Sequence, residues 1–273
     1  MRILLIGTGY VGMALTASWK DPNDRFIATT TTESKLEEVQ SLKQVERSAL
    51  LEIKKTTDLR PLIEQCDAVI VTVAPKRGAG YRETYLDTAT CLKEAVKNRK
   101  EPLYLLYTSS TGVYGNQGGA LVDESSKTAS DITRAKTLSE VEDLLLSCEN
   151  SQIQVCVLRL GGIYGPMRSL EKRAERMSKK EMGGSGDEPT NHIHLEDITG
   201  AIQFCLTNRL SGVFNLVNED HPSRRQLYGA LCEKLNLAPP VWKAGSPSVT
   251  NARVSGEKIK NAGYLFQHPN LTF

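Results

Sequence analysis

The amino-terminal segment constrains this chain more than any other stretch. Arg2–Ile6 is a short run of mostly branched apolar residues, which predicts a buried strand. A glycine-rich turn follows at once, and Met13–Ala17 continues as a predicted helix. A Gly-x-Gly-x-x-Gly turn between a strand and a helix is typical of a dinucleotide-binding fold. The residues expected to bind a pyrophosphate are Gly7, Thr8, Gly9, Tyr10, Val11 and Gly12.

Each glycine of this turn has a separate expected role. Gly7 permits the tight turn, Gly9 lets the backbone approach the pyrophosphate, and Gly12 lets the helix pack closely on the strand. The first N–H groups of the helix and its positive dipole end would then hold the phosphates. The alternative is a glycine-rich turn that serves only the packing and has no ligand.

The strands predicted after this turn alternate with helical patterns, which predicts an α/β fold with a parallel, doubly wound Rossmann sheet. The expected strands are Arg25–Thr30, a short third strand around Leu51 and Ile53, Ala68–Val73 and Leu103–Tyr107. Ligands of such sheets bind beyond the carboxyl ends of the strands. The segments that follow these strands are Gly7–Gly12, Thr29–Thr32, Asp58, Ala74-Pro75 and Thr108–Gly115.

The end of the second strand bears on which dinucleotide would bind. An acidic residue there favours NAD because it binds the ribose 2′-hydroxyl, whereas a neutral polar site admits a 2′-phosphate. This chain has four threonines, Thr29–Thr32, and no acid before Glu33. We therefore expect Thr29 and Thr30 to meet the adenosine ribose and favour NADP over NAD. The same threonines can equally cap the helix that follows.

Composition excludes several classes of partner. The net charge is +2, which gives no argument for nucleic acid or an anionic membrane surface, and no apolar stretch approaches the length of a membrane span. The amino terminus lacks the pattern of a signal peptide. We expect a cytoplasmic protein, or an organellar stromal one if a transit peptide has been removed. A homodimer is one assembly that the sequence allows.

The cysteines and histidines predict neither disulfides nor a metal. The six cysteines include no Cys-x-x-Cys pair and fall mostly in apolar-periodic segments, as reduced core thiols do. His192 and His194 have the spacing of a ligand pair, but no cysteine or third histidine stands nearby in the sequence.

A family resemblance becomes specific at Ser109–Gly115, which reads Ser-Ser-Thr-Gly-Val-Tyr-Gly. After a fifth strand, this stretch resembles the active-site segment of the extended short-chain dehydrogenases/reductases, the NAD(P)-dependent epimerases and dehydratases of sugar nucleotides and related substrates. The resemblance covers Met1 to about Leu235. Further segments that resemble the family, in order, are Asp58-Leu59, Asp67–Ile70, Val157–Pro166, His192–Asp197 and Gly212–Leu216.

The resemblance implies roles for individual residues. Lys136 stands where the family has the lysine that binds the nicotinamide ribose, and Ser110 where it has a serine that orients substrate. Tyr114 would line the substrate pocket or serve as an acid/base. Further implied contacts are Asp58 with adenine, Ala74 with the cofactor, and Arg168 with a phosphate or carboxylate of the substrate.

One departure from the family affects the chemistry. The family places a catalytic tyrosine four residues before the lysine, and this chain has Ile132 there, with no tyrosine between Tyr114 and Tyr164. Isoleucine cannot exchange a proton with a reacting hydroxyl. Three interpretations remain open: an enzyme that uses Tyr114 or another acid/base, a dinucleotide-binding sensor, regulator or assembly factor without turnover, or a lyase or hydrolase built on a cofactor scaffold.

The expected organisation is a dinucleotide-binding domain, 1–165, to which 191–217 returns, and a small substrate lobe formed by 166–190 and 218–273. Met167–Met182 is expected as a short helix with a solvated, charged face, and Asp197 as the cap of a helix Ile198–Leu206. The leading hypothesis is an NAD(P)-dependent epimerase/dehydratase- or reductase-like protein for a small polar or nucleotide-linked substrate. The alternative is a non-catalytic NADP-binding regulator or sensor.

Overall fold

The structure, a computed structural model, describes residues 1–53, 56–75, 80–243, 245 and 250–271, with the backbone alone for 56–58. The strands are β1 (Arg2–Ile6), β2 (Arg25–Thr30), β3 (Val45–Leu50), β4 (Ala68–Val71), β5 (Leu103–Ser110), β6 (Asn116–Val122), β7 (Ile153–Leu160), β8 (Gly162–Tyr164), β9 (Glu181–Gly183), β10 (His192–His194), β11 (Gly212–Leu216), β12 (Val241–Lys243) and β13 (Asn251–Val254). The α-helices are α1 (Tyr10–Ser18), α2 (Leu36–Gln40), α3 (Thr56–Ile63), α4 (Tyr81–Val96), α5 (Thr133–Leu146), α6 (Leu170–Met177), α7 (Leu195–Thr207), α8 (Arg224–Lys234) and α9 (Glu257–Asn261).

The central sheet confirms the predicted fold class. It has seven strands in the order β11-β7-β5-β4-β1-β2-β3. The pairs whose register is described (β1 with β2, β1 with β4, β2 with β3 and β4 with β5) are all parallel. The chain builds outward from β1 through β2 and β3 on one side, then returns to build through β4 and β5 on the other. The direction of winding therefore reverses between β1 and β4, the position at which doubly wound sheets bind their ligands.

The continuous apolar runs of the sequence become the interior of this sheet. Ile3–Ile6 and all of β4 are buried, as expected for strands covered on both faces. Helices α3, α4 and α5 contribute Leu59, Leu92 and Val141 to the same core. Among the helices of the described ranges, none combines the length and apolar character needed to cross a membrane.

The chain divides into two compact units. The first unit comprises Met1–Ser109, Thr137–Leu158 and Thr199–Val213, and the second unit comprises Ser110–Lys136, Arg159–Ile198 and Phe214–Phe273. The second unit has its own core, in which Leu170 and Ala174 of α6 pack with Leu227, Tyr228 and Leu231 of α8. The domain division at residue 165 stays a prediction, since it was defined by the ligand each part would hold.

The third strand lies earlier in the chain than predicted. It is Val45–Leu50 rather than a strand around Leu51 and Ile53, and Thr57 and Asp58 belong to α3 instead of closing a strand. The physical reason is that β3 is an edge strand that pairs with β2 alone in the central sheet, and its residues are half-buried or exposed. An edge strand needs no continuous apolar run, so the apolar pattern does not reveal it.

Asp197 is not the helix cap that the sequence suggested. Helix α7 already begins at Leu195, and the Asp197 side chain is buried in its first turn. Its carboxylate oxygens accept hydrogen bonds from the backbone N–H groups of Gln267 (2.6 Å) and His268 (3.1 Å), and its backbone carbonyl accepts one from the Tyr264 hydroxyl (2.8 Å). Asp197 therefore holds the carboxy-terminal segment within the second unit.

A substitution at Gly12 would test how closely α1 must pack on the turn before it. A Cβ on Gly12 would lie 2.5 Å from the carbonyl oxygen of Gly7, a backbone atom that can yield only if the turn moves. We expect Gly12→Ala to lower the free energy of unfolding by about 1–3 kcal/mol, the usual cost of overpacking. Denaturant unfolding followed by circular dichroism measures it.

Gly9→Ala is the matched control for this prediction. A Cβ on Gly9 has no neighbour within 4 Å among the described residues, and the backbone there is extended. Its unfolding free energy should stay within about 0.5 kcal/mol of the unsubstituted protein, as at unconstrained surface sites. Equal stability of the two variants would contradict the packing role of Gly12.

Candidate functional site

The turn after β1 is held by two threonine hydroxyl groups, one on each side of β1. Gly7 has φ +98°, a conformation that glycine adopts without strain. The Oγ1 of Thr29 accepts a hydrogen bond from the Gly7 N–H (3.2 Å) and donates to the carbonyl of Leu5 (3.1 Å). From the other side, the Oγ1 of Thr72 donates to the Gly7 carbonyl (2.6 Å). The turn is thus fixed on β2 and on the residue that follows β4.

The backbone N–H and the hydroxyl of Thr8 also form hydrogen bonds within this turn. Its backbone N–H and its Oγ1 both donate to the carbonyl of Thr29, each at 2.9 Å, and its side chain is buried. The predicted role of Thr8 in binding pyrophosphate can therefore involve at most its backbone. Its side chain stabilises the path of the turn.

Gly9 is the exposed position of the turn and stands at the N-cap of α1. Among the described residues, no atom lies within 4 Å of a Cβ placed on Gly9, whereas Gly7 and Gly12 are closely surrounded. Tyr10 and Val11 follow as the half-buried start of the helix. An exposed glycine at the N-cap of a helix, where the first N–H groups and the positive dipole end lie, fits a diphosphate group. The residues present therefore fit the dinucleotide that the motif implies.

The residues predicted to bind the adenosine are only partly available. The hydroxyl of Thr29 is used within the turn, so a ribose contact by that group would compete with the bond to Gly7. Thr30 is buried, and its Oγ1 accepts from the backbone of Thr32 (3.2 Å). Ala74 is exposed just after β4. The side chain of Asp58 lies outside the described part of the chain.

Ser110 ends β5 and is half-buried in the second unit. Its Oγ accepts a hydrogen bond from the Gly112 N–H (3.1 Å), so it caps the short 3-10 helix Thr111–Tyr114. That bond uses an acceptor lone pair and leaves the hydroxyl proton for another partner. Ser110 can therefore cap this turn and still donate a hydrogen bond to a substrate oxygen.

Tyr114 lies in the interior of the second unit. Its hydroxyl donates to Oδ1 of Asn215 (2.8 Å) and accepts from Nη1 of Arg159 (2.9 Å), whose guanidinium also lies 5.0 Å from the ring centroid. Burial raises the pKa of the Tyr114 phenol, although Arg159 acts in the opposite direction. A buried, protonated phenol with two fixed partners has a structural role, so this geometry does not favour Tyr114 as acid/base or substrate contact.

Arg159 and Asn215 are buried residues that the sequence analysis did not single out. Asn215 continues the network, because its N–H donates to the carboxylate of Glu124 (2.6 Å) and its side-chain amide donates to the carbonyl of Ser255 (3.0 Å). An arginine within the apolar run Val157–Pro166 was the available signal, since a buried guanidinium needs partners.

Ile132 and Lys136 are adjacent on one helical turn, with the Lys136 N–H donating to the Ile132 carbonyl (2.9 Å). The Lys136 side chain is exposed, as a ribose-binding lysine requires. Ile132 packs over Gly115, where a Cβ would lie 3.0 Å from Ile132 Cδ1 and 2.6 Å from Ala129 Cβ. Ile132, at the position where the resemblance would place a tyrosine, therefore covers a glycine turn with φ +60°.

A basic cavity of about 680 Å³ lies in the second unit. Its walls come from α6 and the segment before it, and the lining residues are Ile163, Met167, Arg168, Lys172, Arg173, Glu175 and Arg176. Lys172, Glu175 and Arg176 of α6 are exposed, as expected for a solvated, charged helix face, and they also line this cavity. Arg168, predicted to face an anion, is among the lining residues as well.

His192 fixes one of these cations. Nη1 of Arg173 lies 3.1 Å from Nε2 of His192, and Nη2 of Arg173 donates to the carbonyl of Ile163 (3.2 Å). Burial, followed by the charge of Arg173, lowers the pKa of His192 to about 3. The imidazole is therefore neutral at physiological pH, and its Nε2 can accept a hydrogen bond from the guanidinium.

The chain is similar to proteins of known sequence and structure over nearly its whole length. Protein YeeZ from Escherichia coli K12 is 26% identical over 277 residues, which cover 98% of this chain and 97% of that protein. The dTDP-glucose 4,6-dehydratase of Bacillus anthracis in complex with NAD has a TM-score of 0.80 at 18% identity, with 98% and 92% of the two chains covered.

A second solved structure has a similar fold over nearly the same length. The UDP-glucuronic acid 4-epimerase of Bacillus cereus, in complex with UDP-glucuronic acid and NAD, has a TM-score of 0.79 at 20% identity and covers 100% of this chain and 95% of its own. At these identities the likeness establishes the fold. Residues 3–216 match the NAD dependent epimerase/dehydratase family as a sequence family, and the chain belongs to that family.

Proposed function

We propose that this protein binds a nicotinamide dinucleotide through the turn Gly7–Gly12 and acts on a small polar or nucleotide-linked substrate as an epimerase/dehydratase- or reductase-like enzyme. The observation that carries the proposal is the contrast within the turn. Gly7 and Gly12 lie against neighbouring backbone, whereas a Cβ on Gly9, at the start of α1, would meet no atom of the described residues within 4 Å. Packing alone requires the first two glycines, and the third is required by a ligand that approaches the backbone.

The nicotinamide ring, when bound, would accept and return a hydride. The chain's own part is to hold and orient it, and the resemblance gives Lys136 the contact with the nicotinamide ribose. The family is NAD dependent, and we propose NADP as the preferred form for this chain, because β2 ends in threonines with no acid to meet a ribose 2′-hydroxyl.

The substrate we propose carries a phosphate or carboxylate. The cavity of the second unit has four cationic side chains, Arg168, Lys172, Arg173 and Arg176, against one acidic side chain, Glu175. Its volume of about 680 Å³ falls in the range of small-molecule sites. Arg173 is already oriented by His192 and Ile163, so little side-chain entropy would be lost when it binds an anion. A nucleotide-linked sugar carries such an anionic group.

A non-catalytic NADP-binding regulator is the second candidate. A specific observation favours it: Ile132 cannot transfer a proton, and the nearby phenol of Tyr114 is enclosed by Arg159 and Asn215. If the protein is an enzyme, the proton must move through another group, such as Ser110 with bound water. If it is a regulator, dinucleotide binding is the function itself.

A bulky side chain at Gly9 tests whether a ligand approaches the turn at this position. Gly9→Val should weaken binding of NADP(H) by at least tenfold, because the side chain would fill the space that the pyrophosphate needs. Isothermal titration calorimetry with NADP(H) and NAD(H) measures both the loss and the preference. Gly229→Val is the control, since its Cβ also has no neighbour within 4 Å among the described residues, but it stands on α8. Absence of affinity for either dinucleotide in the folded, unsubstituted chain would end the proposal.

A tyrosine at position 132 tests whether a missing acid/base limits hydride transfer. Ile132→Tyr should raise hydride transfer between bound NADPH and aldehyde, ketone or sugar-nucleotide substrates by about 10²–10⁴, the usual contribution of a general acid/base. Ile132→Phe is the control, because it adds the ring without the phenol. Hydride exchange in the unsubstituted protein would eliminate the regulator, whereas turnover confined to Ile132→Tyr would support it.

Removing the Tyr114 hydroxyl distinguishes a role in stability from a role in the reaction. Tyr114→Phe removes the acceptor used by Arg159 and the donor used by Asn215, so the unfolding free energy should fall by about 1–3 kcal/mol. Dinucleotide affinity and hydride transfer per folded molecule should change less than threefold. A folded Tyr114→Phe protein whose transfer rate falls a hundredfold would instead show that the phenol takes part in the reaction.

A further inference from the structure

Two histidines and a glutamate that are distant in the sequence meet in the second unit. Oε2 of Glu196 lies 2.7 Å from Nε2 of His268 and 3.7 Å from Nδ1 of His194. One potential ligand atom from each of the three residues lies within 4.8 Å of the other two. His194 ends β10, Glu196 is in the first turn of α7, and His268 belongs to the carboxy-terminal segment.

The spacing of these atoms suits a tetrahedral transition-metal site. Bonds of about 2.0–2.2 Å to nitrogen and oxygen place neighbouring ligand atoms about 3.3 Å apart. The two distances from Glu196, 2.7 and 3.7 Å, lie on either side of that value, and all three ligand atoms lie within 4.8 Å of one another, so small side-chain movements would bring them around one ion. The cluster is half-buried to exposed, which leaves an approach for the metal and room for a water ligand.

The donor set selects the class of metal. Two imidazoles and one carboxylate suit zinc and its neighbours in the first transition row, whereas magnesium and calcium prefer oxygen ligands throughout. The six cysteines are all buried and none belongs to the cluster, so thiolate ligation would be a different site.

The surrounding structure orients two of the ligands. The buried carboxylate of Asp197 accepts from the backbone N–H groups of Gln267 and His268 and so fixes the main chain at His268. The His194 ring packs edge-on to Tyr164, with centroids 5.0 Å apart, and lies 3.7 Å from the His268 ring. The backbone N–H of Glu196 donates to Nδ1 of His194 at 3.3 Å, a long bond that a metal could replace at small cost.

We propose that His194, Glu196 and His268 bind one zinc-class divalent cation, with a further position taken by water. The ion would tie the carboxy-terminal segment to the junction of β10 and α7. It would strengthen the attachment that Asp197 already makes, so its role is to stabilise the second unit. The proposal is independent of dinucleotide binding, which involves none of these three residues.

The test uses the full chain after dialysis against a chelator. Calorimetric titration with Zn²⁺ should show one site per chain, and Co²⁺ should give visible d–d absorption of a tetrahedral site without the near-ultraviolet band of cobalt–thiolate bonding. Zn²⁺ should also raise the melting temperature. Both Glu196→Gln and His268→Gln should weaken Zn²⁺ binding at least tenfold and remove the thermal shift.

His221→Gln is the matched control, because this histidine is bonded to the Thr190 carbonyl outside the cluster, and its variant should bind Zn²⁺ like the unsubstituted chain. Circular dichroism of each metal-free variant checks that it folds, and a titration of the folded unsubstituted chain stands as a test by itself. The proposal is overturned if that chain shows no saturable site, if Glu196→Gln and His268→Gln both bind with undiminished affinity, or if Co²⁺ gives a thiolate band.

Discussion

The clamp on Gly7 is the interaction on which the candidate cofactor site depends. Thr29 holds its N–H and Thr72 holds its carbonyl, and the two threonines come from the chain on opposite sides of β1. The turn can take this path only when β2 and β4 are both paired with β1. The site therefore depends on the parallel strand order. The winding of the sheet reverses between β1 and β4, and the turn that follows β1 at this position leaves the backbone of Gly9 exposed. A change that loosens either strand should disturb the turn without touching a glycine.

The local parts of this arrangement could be read from the sequence, because strand, turn and helix follow one another without a gap between Arg2 and Ser18. The buried strands β1, β2 and β4 were also readable, since a parallel strand covered on both faces leaves a continuous apolar run. The edge strand β3 was misplaced, and β6, which pairs with β13 outside the central sheet, was not predicted. Both are partly exposed, and neither environment imposes an apolar pattern.

The contacts that could not be predicted from the sequence join residues that are far apart in the chain. Thr72 lies 65 residues from Gly7, and Asn215 lies 101 residues from Tyr114. His194 was considered as a metal ligand together with His192, the near neighbour in sequence. The structure pairs it instead with His268, and gives His192 to Arg173. The spacing of residues in the sequence can indicate metal ligands that lie on one helix or strand. Ligands that a distant segment contributes can be recognised only once the tertiary fold is known.

Ile132 has no group that could exchange a proton with a substrate. Tyr114 is the phenol nearest to hand, and as an acid/base it would have to reach a substrate and lose its proton readily. The geometry favours neither, because burial raises its pKa and its hydroxyl joins Arg159 to Asn215. Releasing it would leave a buried guanidinium and a buried amide each short of a hydrogen bond, at about 1–3 kcal/mol for each group. The open Gly9 and the cations of the second-unit cavity need no phenol for binding. The proposed binding of a dinucleotide and of an anion is therefore independent of proton transfer by a phenol.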